Sequence, residues 1–199
     1  MQTDSVFPIA SMTKAVTSVA AMQLVEKGQL SLDEPLADLL PGLAAHQVLM
    51  GYNDAGKPQW RPPVAAISLR QLLSHSSGLG YHIWNPILGR FATDEALNGS
   101  DIYLGLPLAH DPGSIWEYSV STDWVGQAVE ASSGLSLEEY FQAKILGPLE
   151  MVDTTFEELQ GDKELREKLY DIAFFEPNPT GIDLLVMLSD AAMVDYDFP

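Results

Sequence analysis

Phe7-Pro8-Ile9-Ala10-Ser11-Met12-Thr13-Lys14, continuing through Ala15-Val16-Thr17-Ser18-Val19-Ala20-Ala21-Met22-Gln23-Leu24-Val25-Glu26-Lys27-Gly28, predicts a long and almost uncharged helix. Ala10, Val16, Val19, Ala20 and Leu24 supply apolar positions at helical spacing, and the opposite face is apolar or small as well. A helix with no side that favours water belongs in the middle of a domain. Pro8 stands just outside its start, and Gly28 is a natural stop after Lys27. Ser11 and Lys14, three residues apart in the first turn, share one face. A serine there lies beside unpaired backbone amides at the positive end of the helix dipole. A lysine one turn on adds a base, which makes a nucleophile, a base and oxyanion donors at one place. To act as base, Lys14 has to shed its proton near neutral pH, which apolar surroundings or a second nearby cation would favour. The pair alone is not diagnostic, because a serine cap and a snorkelling lysine leave the same pattern.

The chain has 199 residues, 46% of them hydrophobic, enough for one domain with a substantial core. Asp and Glu number 28 against 10 Lys and Arg, a formal net charge of −18. That surface repels phosphate backbones and argues against nucleic-acid binding. There is no cysteine, so disulfides and thiolate metal sites are excluded. No apolar run reaches membrane-spanning length, and Met1-Gln2-Thr3-Asp4 lacks the basic start and apolar core of a signal peptide. The expectation is a soluble protein of bacterial type, cytoplasmic or periplasmic, with its compartment and oligomeric state left open.

Downstream, Ser31 or Asp33 caps a short predicted helix through Pro35 to Leu40, closed by Pro41-Gly42. Gly51 to Pro63 is rich in turn residues and reads as an exposed loop. Ser68-Leu69-Arg70-Gln71 is a capping box opening a short helix with Leu69, Leu72 and Leu73 buried. It ends in the polar turn Ser74-His75-Ser76-Ser77-Gly78-Leu79. Gly80 to Asp111 carries Tyr81, Trp84, Phe91 and Tyr103 among turn residues, an irregular, partly helical segment suited to lining a pocket. Pro112 to Asp123 delivers aromatics and hydroxyls into a helix over Asp123–Ser132 that stops at Gly134. Ser136-Leu137-Glu138-Glu139 is a second capping box, and its helix stops at Gly147-Pro148. Glu164 and Lys168 form a helix-surface pair further on, and the tail holds an apolar patch from Ile182 to Leu188.

Taken in order, these motifs resemble the serine β-lactamase and penicillin-binding-protein superfamily. They are Phe7 to Lys14, Val25 to Leu30 with Leu32-Asp33 and Pro35, Leu72 to Leu79, Pro112-Gly113 with Trp116 and Tyr118-Ser119, and Gly147-Pro148-Leu149 with Met151 and Asp153-Thr154. The nearer likeness is to class C β-lactamases, DD-peptidases and, closest in pattern, family VIII carboxylesterases. The resemblance implies an α+β, β-lactamase/transpeptidase-like fold, this chain being mostly its helical part with the flanking sheet strands largely absent. One domain over residues 1–199 is expected, incomplete at both ends, with the likeness over about 7–156 and a divergent tail over 157–199.

By the same resemblance Ser11 is similar to the nucleophile, Lys14 to its partner base and Tyr118 to the second member of the acid/base pair. His75 is placed in a structural turn and not in the chemistry. Trp116 and Val120 fall at substrate-facing positions, although Trp116 on its own reads as packing. Two departures matter. The family's Y-x-N position holds Val120, which cannot donate to a lactam's side-chain amide, and this shifts the expectation toward ester substrates. No K-[ST]-G motif follows at a suitable distance, since Pro179-Thr180-Gly181 lies too close to Tyr118. The resemblance implies a serine hydrolase cleaving carboxylic esters through an acyl-enzyme, with β-lactamase or DD-peptidase activity, acyl transfer to an alcohol, and a non-catalytic fragment or binding module as alternatives. It implies no metal and no organic cofactor; the partner is a small-molecule ester or lactam.

Overall fold

The computed structural model describes residues 9–97 and 101–156. Phe7, Pro8, the Glu164–Lys168 pair and the tail from 157 onward lie outside the described residues.

The chain enters through a 3-10 turn, Ala10–Met12, that runs directly into α1, Thr13–Glu26. Ser11 therefore sits in a tight turn at the head of the longest described helix, not within its α-helical part. The helix ends as its sequence predicts. Gly28 has φ +67, its N–H donates to Val25 O at 2.9 Å, and Gln29 N–H reaches Leu24 O at 2.9 Å. This reciprocal pair is the helix-ending motif that a residue without Cβ accommodates at least cost. One flank of α1 (Thr13, Thr17, Ala20, Ala21, Leu24) is buried, and the other flank (Val19, Met22) stays exposed. The expectation of a helix enclosed on all sides is thus met on one side among the described residues.

The buried flank packs against α6, Ser121–Ser133, whose Val125, Ala128 and Val129 face it within one apolar core. Leu69 and Leu72 of α3, Leu69–Leu73, complete that core with Tyr140 and Phe141 of α7, Leu137–Phe141. Both capping boxes form, Ser68 with Gln71 and Ser136 with Glu139, each satisfying amides that the first turn leaves free. Beyond α7 a π-helical turn, Gln142–Leu146, leads to Gly147. Between α3 and α6 lie α4, Pro86–Asp94, capped by Asn85, and the short α5, Asp101–Leu104.

Two local readings are corrected. The helix expected over Pro35–Leu40 is absent; Ser31 Oγ instead accepts from the Asp33 and Glu34 amides, and Leu36 N–H bonds to Ile67 O at 3.0 Å. Pro41 does not close a helix but opens one, α2, Pro41–Ala44, at the position where a missing N–H costs nothing. The loop read over Gly51–Pro63 is largely an antiparallel hairpin, β1 Val48–Tyr52 and β2 Pro58–Arg61, with an irregularity between Leu49 and Gly51. Its turn residues are real, and Asn53 Oδ1 accepts from the Ala55 and Lys57 amides to fold the strands back. Arg61 of β2 grips Asp111 with two guanidinium bonds and so ties the hairpin to the segment that leads to Tyr118. The arrangement is the β-lactamase/transpeptidase-like fold, represented here mostly by its helices.

The turn after α3 is the strip on which the site is assembled. Gly78 O accepts from Ala109 N–H at 2.8 Å, Ser76 O from Gly113 N–H at 2.6 Å, and His75 O from Glu117 N–H at 2.9 Å. Gly78 has φ +89, and a Cβ there would overlap the His110 carbonyl oxygen. Backbone cannot yield as a side-chain tip can, so Gly78→Ala is expected to cost about 2–4 kcal/mol. Urea unfolding would read this as a lower midpoint; an unchanged midpoint would contradict the packing described.

Candidate functional site

Ser11 is presented by the 3-10 turn, and the residue before it, Ala10, holds φ +43. For a residue with a Cβ that conformation is strained by roughly 1–2 kcal/mol, a strain found where chain direction is dictated by the neighbouring chemistry. Tyr118 arrives from the irregular segment before α6. Its hydroxyl donates to Ser11 Oγ at 2.8 Å, although the residues lie 107 positions apart. Lys14 projects from the first turn of α1, and its Nζ donates to the Tyr81 hydroxyl at 3.3 Å. The ammonium also lies 5.2 Å from the Tyr118 ring centroid and 5.9 Å from that of Tyr81. The three candidate catalytic residues are thus brought together at one place. The hydrogen-bond partner of Ser11 is the phenol, while the lysine is seated on the two tyrosine rings, a favourable place for a cation.

Around them stands an aromatic wall. Trp84 lies 5.6 Å from Tyr118 and 5.2 Å from Tyr81, and His75 lies 4.7 Å from Tyr118, ring centroid to centroid. Trp116 is 67% exposed and meets His75 edge-on at 6.4 Å, so it stands at the rim. Val120 does not face the opening: it is fully buried in the core beside α6, and only its backbone belongs to the site segment. The reading of Val120 as a substrate contact is corrected on that ground. What survives is the chemical point that no amide side chain stands at this position.

The electrostatics contain two features that the sequence does not disclose. Tyr81, buried and bonded to Lys14, reads in the sequence only as one aromatic among several; nothing local announces a partner 67 residues away. Asp123 stands in the first turn of α6; burial pushes its pKa up, and the positive charge of Lys14 partly offsets the rise. His75 is pushed down to about 4, first by burial and then by the charge of Lys14. It is therefore neutral at pH 7, and its Nδ1 is bonded to Ser119. Glu117, one residue before Tyr118, is held by Asn85 Nδ2 at 3.0 Å and His110 Nε2 at 2.8 Å, which anchors the approach to the phenol.

Comparison with known proteins agrees with this geometry. The Beta-lactamase family model matches residues 1–185. The chain is 40% identical over 161 residues to "Acyltransferase mokF" of Monascus pilosus, a match covering 78% of this chain and 39% of the relative. It is 37% identical over 186 residues to "Lovastatin esterase" of Penicillium rubens, covering 90% of this chain and 46% of the relative. Unliganded simvastatin synthase (LovD) from Aspergillus terreus superposes with a TM-score of 0.76 at 37% identity, covering 85% of this chain and 44% of that one. The chain spans less than half the length of each of these relatives, and the relatives it matches include bacterial as well as fungal proteins. A serine, a lysine and a tyrosine brought into contact, a helix core of matching shape and a family model spanning most of the sequence lead to one conclusion: the chain belongs to the Beta-lactamase family.

Proposed function

We propose that Ser11 is the nucleophile of acyl transfer on carboxylic esters, with Lys14 and Tyr118 handling the proton. The observation that carries this reading is the 2.8 Å contact between the Tyr118 hydroxyl and Ser11 Oγ, beside an ammonium seated on the same phenol ring. Ser11 Oγ attacks the ester carbonyl, and its proton passes to the Tyr118–Lys14 pair in the form that lacks one proton, phenolate beside ammonium or phenol beside neutral amine. The same pair returns that proton to the departing alkoxide as the C–O bond breaks, which leaves the acyl group on Ser11. Water or a second alcohol then attacks the acyl carbon and gives its proton to the pair, which returns it to Ser11 Oγ.

Within the family we place the chain with the ester-directed acyltransferases and esterases, and not with the class C lactamases. The relatives' names carry both outcomes, transfer and ester cleavage. Position 120 offers a lactam no amide donor, since its side chain is aliphatic and turned into the core. A lactam substrate with an unpaired amide loses about 1–3 kcal/mol, whereas a simple alkyl ester leaves nothing unpaired. The protein is expected to turn over a short-chain p-nitrophenyl ester with kcat/KM about tenfold or more above that for a chromogenic cephalosporin. Equal efficiencies would contradict the ester preference, and a lactam preference would reverse it. Adding a primary alcohol and identifying the products would separate transfer from hydrolysis.

A further inference from the structure

We propose that His75 is the positioning residue for Tyr118, acting as a neutral hydrogen-bond acceptor that seats the phenol on Ser11. The inference rests on the acyl-transfer reading for its chemical consequence, but its structural part stands alone. Three contacts converge on the residues around Tyr118. Glu117 N–H donates to the His75 carbonyl at 2.9 Å, Ser119 N–H donates to His75 Nδ1 at 3.2 Å, and the imidazole packs against the Tyr118 ring at 4.7 Å. The histidine therefore holds the neighbours of the tyrosine on both sides and supports its ring from one face. His75 itself takes φ +53, outside the usual range for a side chain of its size, so the turn is held in the conformation that makes this grip.

The protonation state follows from hydrogen-bond bookkeeping. A backbone N–H can only donate, so Nδ1 must accept from Ser119 and carry no proton of its own. Behind it runs a chain of hydroxyls from Ser119 to Ser121 at 2.6 Å and from Ser121 to Ser77 at 2.7 Å, all three residues fully buried. Ser77 Oγ accepts from Leu79 N–H, and Ser119 Oγ accepts from Ser121 N–H. Each hydroxyl has one proton to place. Running from Ser77 through Ser121 and Ser119 to His75 Nδ1, at 3.2 Å from Ser119 Oγ, every hydroxyl proton finds an acceptor, the Ser119 hydroxyl sharing the Nδ1 lone pair with the Ser119 N–H. With the direction reversed, the Ser77 proton finds none among the described residues, and a buried unmatched donor is costly. The titratable groups that face the ring are Tyr118 and Lys14, and the charge of Lys14 opposes a second positive charge there. Burial acts in the same direction.

Two measurements test this. Long-range 1H–15N correlation at pH 6 on the chain labelled with 15N-histidine, assigned by His75→Asn, is expected to show a neutral ring with unprotonated Nδ1. A cationic ring, or a proton on Nδ1, would overturn the inference whatever the activity. The second measures the rate of covalent modification by a fluorophosphonate. His75→Leu removes the acceptor while keeping bulk, and the labelling rate is expected to fall about 100-fold, as displacement of one reacting group by about 1 Å does. His75→Asn is expected to recover to within about tenfold of wild type, because Oδ1 can accept from Ser119 N–H and Asn tolerates positive φ. Leu equal to wild type, or Asn no better than a folded Leu variant, would overturn it. A wild-type chain that does not label would count against the acyl-transfer reading instead, and the imidazole spectrum would then decide the positioning role by itself.

Discussion

Ser11→Ala is expected to abolish covalent modification by a fluorophosphonate, reducing the adduct to the background of the unfolded chain. Many serines in this sequence carry a hydroxyl, but a free hydroxyl is a poor nucleophile without a group to take its proton. Among the described residues, Ser11 combines a phenol at 2.8 Å with an ammonium on the same ring cluster, at the head of a helix whose dipole favours developing negative charge. The buried serines near it, Ser77, Ser119 and Ser121, bond to one another and to His75, out of a probe's reach. Intact-mass measurement of wild type and variant decides the matter. Undiminished labelling of Ser11→Ala would place the reactive hydroxyl elsewhere.

The second large effect concerns proton transfer. Tyr118→Phe keeps the ring, its packing on His75 and Trp84 and the seat for Lys14, but removes the hydroxyl that donates to Ser11. The labelling rate is expected to fall by about 10²–10⁴, the usual contribution of a positioned acid/base group. Lys14→Ala should fall in the same range because it removes the charge that faces both tyrosines. Lys14→Arg is not expected to rescue, since guanidinium retains its proton and cannot take one up and pass it on as an amine can. If Tyr118→Phe labels like wild type while Lys14→Ala is silent, the lysine works directly on Ser11, and the phenol–serine contact is not the reactive one.

How far the sequence carries depends on the distance over which each structural choice is made. The Gly28 helix ending and the Ser68 and Ser136 capping boxes are settled within a few residues, and all three form as read. Pro41 and the Asn53–Gly56 turn are legible as punctuation, but not which elements they separate. A proline fits the first position of a helix as well as its end, and turn residues fit a hairpin as well as a loop. Which one applies is settled by burial of Leu43 and Val48 in the core, a tertiary fact. At the site, Ser11, Lys14 and Tyr118 are legible through motif order. The Tyr81–Lys14 bond and the grip of His75 on Ser119 join residues 67 and 44 positions apart, and packing alone creates them. Val120 shows the converse: its residue type is informative, but its placement in the core is not legible.

Acylation of Ser11 by an ester is the step on which all the rest depends, and it can be caught directly. The chain should be mixed with a short-chain p-nitrophenyl ester, quenched in acid within the first turnover, digested with trypsin and analysed by fragmentation. One acyl group is expected on the peptide ending at Lys14, with the fragment ions placing it on Ser11 and not on the lysine. An acyl group fixed on any other residue, or ester turnover that continues in Ser11→Ala, would contradict the proposed chemistry.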